Sequence, residues 1–218
     1  MKNLYRAAFA AALLLVGQIA TAQQAAAPQA TAPEASAPQA TAPQAMGKLV
    51  FDVKAFTSEV PLKKKIEAQL QSGGIEWGVK NGLLVVAVIN KRFIDFDISH
   101  MTRFGHNEQL DLPAGEYHIT CAGFEPHTGF SVEKLLAKGG YFNENIVTFT
   151  IEPGKTTTVS LNPIMKKDQT FFLTVYMPTL MTSVVTEAGA TPEKAINLRQ
   201  ADSIAWPAYT GPLKFVAK

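Results

Sequence analysis

Polar and apolar residues alternate along several short stretches of the chain, which is the pattern of half-buried β-strands. The first is KLVFDVKAF (48–56), in which Leu49, Phe51 and Val53 share one face. Alternation or a short apolar run also marks the stretches 83–89, 92–98, 116–122, 146–151, 156–161 and 170–177. The stretch LLVVAVI (83–89) is apolar on both faces, so we expect it to be a central strand.

Turn and helix signals lie between these stretches. Pro113-Ala114-Gly115 precedes strand 116–122, and the turn EPGK (152–155) predicts a hairpin between strands 146–151 and 156–161. Short helices are predicted over 62–72, with an apolar stripe facing a sheet, over 131–138, with Ser131 as cap, and over 191–199, with Thr191 as cap. Beyond Pro178 the alternation weakens, and 213–216 is a candidate edge strand. The chain is therefore predicted to be mainly β, a single β-sandwich with two or three short helices.

The N-terminus has the three parts of a secretory signal. Lys2 and Arg6 precede the apolar run 7–16, and Ala20-Thr21-Ala22 forms a small-x-small cleavage site. The alternative is an uncleaved membrane anchor, but Gly17-Gln18 interrupts a run that is already short for a span. We predict a signal peptide over 1–22, cleaved after Ala22, and a periplasmic or secreted protein without a stable membrane span.

A low-complexity segment rich in Ala, Pro and Gln follows over 23–46. Prolines recur every five residues at Pro28, Pro33, Pro38 and Pro43. Such a segment has too few large apolar side chains to offset its chain entropy by burial, so we predict a disordered linker. It acts either as a spacer or as an untethered end. The folded domain is predicted to cover 47–218.

Charge and cysteine content exclude some functions. The formal net charge of +2 is too small to indicate nucleic-acid binding. Cys121 is the single cysteine, so no internal disulfide forms. Strand alternation places Cys121 on the apolar face and His118 on the opposite face, which predicts an inert, buried thiol and no His–Cys pair.

The candidate chemical groups cluster between residues 95 and 127. Asp95 and Asp97 share a strand face, and a metal site would need them to converge with nearby histidines. No His-x-His or catalytic motif occurs, so we expect no catalytic, metal-binding or cofactor-binding residues and no enzyme. Trp77 lies near a predicted turn. As partner-binding residues in loops and in the tail we predict His100, Arg103, His106, His127, Trp206 and Tyr209, and the alternative for the aromatic residues is ordinary packing.

The stretch LPAGEYHITCAGFEP (112–126) resembles the Leu-Pro-x-Gly-x-Tyr strand and Gly-aromatic-x-Pro exit of transthyretin-like modules. These include carboxypeptidase regulatory-like and PEGA-type domains. The later hairpin PGKTTTVSL (153–161) is similar to their closing strands, but two helices and a long tail depart from their pattern. The resemblance implies a transthyretin- or immunoglobulin-like Greek-key sandwich that binds rather than catalyses. The matching residues are Leu112, Pro113, Gly115, Tyr117, Gly123, Phe124 and Pro126.

Three functions fit these observations. The first is a non-enzymatic binding module of the bacterial cell envelope that recognises a protein or a glycan through loops or a sheet edge. The second is a structural or assembly accessory of an envelope complex, with the linker as spacer. The third is a metal-dependent enzyme that uses the His100–His127 region. The sequence leaves the partner and the oligomeric state open.

Overall fold

The structure is a computed structural model that describes residues 44–87, 99–125, 132–169 and 174–213. The predicted signal peptide, most of the predicted linker, strand 92–98 with Asp95 and Asp97, His127 and the cap Ser131 lie outside these residues. The described residues form two β-sheets and a few short helices.

Each sheet combines strands from distant parts of the chain. The first sheet contains β1 (Met46–Val53), β2 (Thr57–Ser58), β6 (His106–Pro113), β9 (Thr156–Gln169), β10 (Thr174–Thr186), β11 (Gly189–Ala190) and β12 (Lys194–Ala195). The second sheet contains β3 (Gly74–Lys80), β4 (Leu83–Ala87), β5 (Ser99–Arg103), β7 (Gly115–Phe124), β8 (Gly140–Ile151) and β13 (Ile204–Ala205). The helices are α1 (Lys64–Gln71), α2 (Val132–Gly139) and a 3₁₀ turn (Trp206–Ala208).

The main hydrophobic core lies between the two sheets. Leu49 and Phe51 of β1 are fully buried, as are Trp77 of β3 and Ile119 of β7 in the facing sheet. Phe51 and Trp77 stack across the interface with ring centroids 4.2 Å apart. Two sheets that bury one apolar face each against the other form a β-sandwich, which confirms the predicted mainly β sandwich with short helices.

The second sheet is covered on both faces. In β4, Leu84 and Val86 belong to the main core, whereas Val85 and Ala87 belong to a smaller cluster on the opposite face. β4 lies between β3 and β7. The prediction of a central, doubly buried strand is therefore confirmed for the described residues 83–87.

The order of strands within each sheet positions the candidate site. In the first sheet the order runs β11-β10-β9-β1-β6, and in the second it runs β13-β8-β7-β4-β3-β5. β6 and β5 thus end their sheets, and the short turn at Phe104-Gly105 joins them. Both sheet edges face the same side of the molecule, which we call the open side of the sandwich.

The turn at Pro113-Ala114-Gly115 carries the chain from one sheet to the other. β6 belongs to the first sheet and β7 to the second. The Tyr117 hydroxyl donates a hydrogen bond to the Pro113 carbonyl at 2.8 Å and so fixes this corner. Along β7, Cys121 is fully buried and His118 faces the other side, where its ring meets Thr148 at 3.0 Å. The predicted separation of Cys121 from His118 is confirmed.

The predicted hairpin at 152–155 is wrong. β8 pairs with β7 in the second sheet, whereas β9 pairs with β1 and β10 in the first. The turn therefore crosses between sheets. The residues of a turn show where the chain reverses. The pairing of each strand depends instead on the sheet in which its apolar face is buried against the core. Phe149 and Val159 both point into the shared core, from opposite sides.

The strand predicted to end before Pro178 continues to Thr186. The Leu180 N–H donates to the Asn197 side chain at 2.7 Å, and the Pro178 carbonyl accepts from the same side chain at 2.8 Å. Both groups point away from β9, so the missing N–H of Pro178 costs no bond to that strand. Proline is tolerated at such a position of a strand.

The helix predictions are only partly correct. α1 forms, but none of its residues is buried and Ile66 is 45% exposed, so its apolar stripe packs less than expected. α2 matches the predicted helix over 131–138 within its described residues. The helix predicted over 191–199 is wrong, because Thr191 binds the backbone of Val184 and Lys194–Ala195 pairs with β10 as a strand. None of the described helices is long and apolar enough to cross a membrane.

Candidate functional site

Three of the predicted loop residues lie on strands at the open side of the sandwich. His100 and Arg103 belong to β5, and His106 begins β6. The prediction that they occupy loops is wrong, because HNEQLDLP (106–113) pairs with β1 along its whole length. His127 lies outside the described residues, so the structure does not bring it to the other three.

A hydrogen-bonded network joins the two sheets at this edge. Glu108 of β6 accepts from the Thr102 hydroxyl at 2.6 Å and lies 2.9 Å from Nδ1 of His100. The indole N–H of Trp77 donates to the Thr102 oxygen at 2.9 Å. The His100 ring stacks on Trp77 with centroids 4.3 Å apart. The network connects β5 and β3 of the second sheet to β6 of the first and thus holds the two sheets together at this edge.

The His100–Glu108 pair has the composition of a general base but not its access. Nε2 of His100 is buried and has no hydrogen-bond partner in the described part of the chain. A base must reach the proton that it removes. Cys121 is no nucleophile for it, because complete burial raises the pKa of the thiol strongly. Within the described ranges no group of three His, Cys, Asp or Glu residues is placed to hold a metal ion. The network is best explained as structural.

The outer edge of β6 presents unpaired backbone groups. Ala114 N–H donates to the Ala45 carbonyl at 2.7 Å, and this pair continues the register in which Leu112 faces Gly47 and Leu110 faces Leu49. In an antiparallel ladder, alternate residues bond to the neighbouring strand. The even-numbered residues of β6 therefore bond to β1, and among the described strands nothing pairs with the outward N–H and C=O groups of Asn107, Gln109 and Asp111.

β5 is likewise the last described strand of its sheet. Phe104 N–H donates to the Gly73 carbonyl at 3.1 Å, in the register that pairs Thr102 with Ile75. By the same alternation, Met101 and Arg103 direct their backbone groups away from β3. Met101 is also 48% exposed. Sequence reasoning missed the edge strand β6, although the alternation in NEQLDL (107–112) was a usable strand signal.

The two tail aromatic residues do not form an exposed platform. Trp206 and Tyr209 stack on Phe142, with ring centroids 5.1 Å and 3.7 Å away. They cover the smaller hydrophobic cluster on the outer face of the second sheet. Both rings are only partly buried, so their role as partner-binding residues stays a prediction, with ordinary packing as the alternative.

Buried tyrosines should make the fold sensitive to alkaline pH. Burial raises the pKa of Tyr141 to about 12, and burial with the nearby Glu144 charge raises the pKa of Tyr209 to about 12, from the usual 10.0. Between these values the unfolded chain loses protons that the folded chain keeps, so the free energy of unfolding should fall as pH rises through this window. Urea unfolding at about pH 9 and about pH 11 checks this.

Tyr209→Phe is the matched variant for that measurement, because its ring still stacks on Phe142. We expect it to lose stability less steeply with pH than the wild-type chain. Equal slopes in the two proteins would show that Tyr209 does not contribute.

A cleft of about 610 Å³ opens at one end of the sandwich, between the β3–β4 turn and the β6–β7 turn. The core residues Leu112 and Tyr117 form part of its lining, together with the charged residues Lys80 and Glu116. Neither a histidine nor an exposed aromatic ring lines it. It therefore offers little chemistry for catalysis or for stacking on a sugar.

Comparison with models of protein families, with curated proteins and with solved structures finds no match to this chain. The resemblance to transthyretin-like modules stays a prediction.

Proposed function

We propose that this protein is an exported, non-enzymatic binding module of the cell envelope that recognises a protein partner by strand addition at β6. The observation that carries the proposal is the regular outer edge of this eight-residue strand, to which no other described strand is paired. An extended segment of a partner can continue a sheet there by main-chain hydrogen bonds. Export rests on the predicted signal peptide over 1–22.

The edge carries few of the features that normally prevent strand pairing. Proteins protect such edges with charged side chains, above all lysine, with inward-pointing charges, prolines, bulges or very short strands. β6 has two such charges, the inward-pointing Glu108, which is bonded to Thr102 and His100, and the exposed Asp111. β6 contains no lysine, its proline is the last residue, and its pairing with β1 runs residue by residue from Val53–His106 to Met46–Pro113 without a shift. A regular edge that is not covered by another strand in the described part of the chain supports a binding role.

A protein partner is favoured over a glycan and over a substrate. Sugar recognition relies on exposed aromatic rings. Trp206 and Tyr209 are packed on Phe142, and the exposed Tyr176 lies on β10, which β9 and β1 separate from β6. The His100–Glu108 pair is closed off from solvent at Nε2. The alternative function, an assembly accessory of an envelope complex, would use the same β6 edge. It differs from the binding module only in that the bound partner belongs to the complex.

Site-specific crosslinking in the source cells tests the proposal. A photoreactive residue replaces the exposed Asn107. This protein is compared with two variants that carry a second substitution in β6, either Gln109→Pro or, as the matched control, Gln109→Thr. Proline removes the outward N–H and fits an edge strand, whereas threonine keeps it. We expect protein adducts that fall about tenfold with proline, as for a loss of about 1.4 kcal/mol, and persist with threonine. Adducts equally strong in both variants would contradict strand addition.

A further inference from the structure

We propose that the strand that docks on β6 is β6 of a second copy of this chain, antiparallel, with the two-fold axis at Gln109. The inference rests on the proposed function, because it names the partner for the same edge. A two-fold interface uses one surface patch twice, so the edge must be complementary to itself. The sequence of β6 permits this in one register.

The register follows from the three residues whose backbone groups point outward. With the axis at Gln109, Asn107 faces Asp111 of the second copy, Gln109 faces Gln109, and Asp111 faces Asn107. Each of these facing pairs can exchange two N–H···O bonds, about six in all. The side chains are compatible, since the Asp111 carboxylate meets an amide donor and the two Gln109 amides can bond to each other.

The neighbouring registers are poorer for definable reasons. An axis at Glu108 places the two Glu108 carboxylates opposite each other, and an axis at Asp111 does the same with the two Asp111 carboxylates. Both registers are unfavourable because like charges directly opposite each other destabilise a sheet. An axis at Leu110 pairs Asn107 with Pro113, which has no N–H to donate. Of these four axes, only the one at Gln109 pairs all three outward residues within β6 without repulsion.

Other edges of the described sheets are less suited to a second copy. β11, β12 and β13 have two residues each. The outer edge of β10 is occupied by β11, β12 and the Asn197 side chain. β5 has five residues against the eight of β6. β8 pairs with β13 at only two residues, but its outer carbonyls at Ile146 and Thr150 accept from the Lys194 and Thr157 side chains. β6 is therefore the longest edge in the described ranges without such contacts.

Cysteine pairing across the axis tests the register in the full mature chain. Residues that face each other in a bonded pair have Cα atoms about 5.5 Å apart, within reach of a disulfide. Gln109→Cys should therefore give a disulfide-linked dimer under mild oxidation. Asn107→Cys and Asp111→Cys alone should not, because each lies about 14 Å from its own copy, four residues along the strand. The native Cys121 is fully buried and is present in all of these variants, so it does not account for differences between them.

A mixture of the Asn107→Cys and Asp111→Cys proteins provides the decisive control. It should form a disulfide-linked pair that neither protein forms by itself. The inference is overturned if Gln109→Cys forms no linked dimer or if the mixture forms no linked pair. Equal linkage of all three single variants also overturns it, because it would indicate random collision. Sedimentation of the unmodified chain should show a dimer that Gln109→Pro converts to monomer and Gln109→Thr does not.

The failure of this inference can be told apart from the failure of the proposed function. If Gln109→Cys stays monomeric while Gln109→Pro still removes the adducts of Asn107 with another protein, the second copy is wrong and strand addition holds. If proline affects neither the oligomeric state nor the adducts, both are wrong.

Discussion

Replacing Trp77 by alanine should lower the free energy of unfolding by about 3–5 kcal/mol. The indole is fully buried, stacks on Phe51 and on His100, and donates to Thr102. The substitution leaves a large cavity between the sheets and removes the ring on which the edge network rests. Domains are typically stable by only about 5–15 kcal/mol, so a large part of the stability would be lost. Urea unfolding followed by circular dichroism measures the change.

Trp77→Phe separates packing from hydrogen bonding. Phenylalanine retains much of the stack on Phe51 but cannot donate to Thr102, whose hydroxyl still donates to Glu108. We expect a loss of about 1–2 kcal/mol, well below that of the alanine variant. A loss below about 1 kcal/mol in Trp77→Ala would contradict the central role of this ring in the core.

Replacing Asn143 by alanine should release the C-terminal tail from the second sheet. Asn143 is 4% exposed, and its side-chain nitrogen donates to the carbonyls of Ile196 and Leu198, at 2.8 Å each. Its side-chain oxygen accepts from the Ser203 hydroxyl. Alanine removes all three bonds, whose partners are the buried Ile196 and the half-buried Leu198 and Ser203, at about 1 kcal/mol for each bond. We expect a loss of about 3 kcal/mol, concentrated in the tail.

Trypsin cleavage after Arg199 measures that release directly. In the folded chain Arg199 is held by Glu125 at 3.0 Å and lies over the Tyr141 ring. Cleavage should be much faster in Asn143→Ala. Ser203→Ala is the matched control, because it removes one of the three bonds and should accelerate cleavage far less. Unchanged cleavage in Asn143→Ala would show that other contacts suffice to hold the tail.

The strands were predictable where alternation was clear. β1 and the central strand β4 were found from their apolar positions, and Cys121 was placed correctly in the core. β3 was missed and Trp77 was placed near a turn, although Asn81-Gly82 directly before the apolar run 83–89 is a strong hairpin signal. In the structure both residues have positive φ, 51° and 78°, as a tight two-residue turn requires.

The candidate site was predictable only as a region. Clustering of histidines drew attention to His100, which belongs to the edge network, but also to His106, and it missed the other members Trp77, Thr102 and Glu108. These residues come from three strands, and no local pattern links them. The tail contacts of Asn143 are hidden for the same reason, since its partners lie more than fifty residues away along the chain.

The sequence by itself determined the fold class and the buried face of the strands that were recognised, because alternation depends only on neighbouring residues and on the two-residue repeat of a strand. Only the tertiary structure decided which strands pair. The turns at 113–115 and 152–155 look like hairpin turns, yet both carry the chain between sheets. The physical reason is that a sandwich buries apolar faces from two sheets in one core. A turn can join two strands of one sheet or carry the chain to the other sheet, and the same apolar side chains are buried in both cases. The tertiary pairing leaves β6 at an edge, and this placement supports the proposed function.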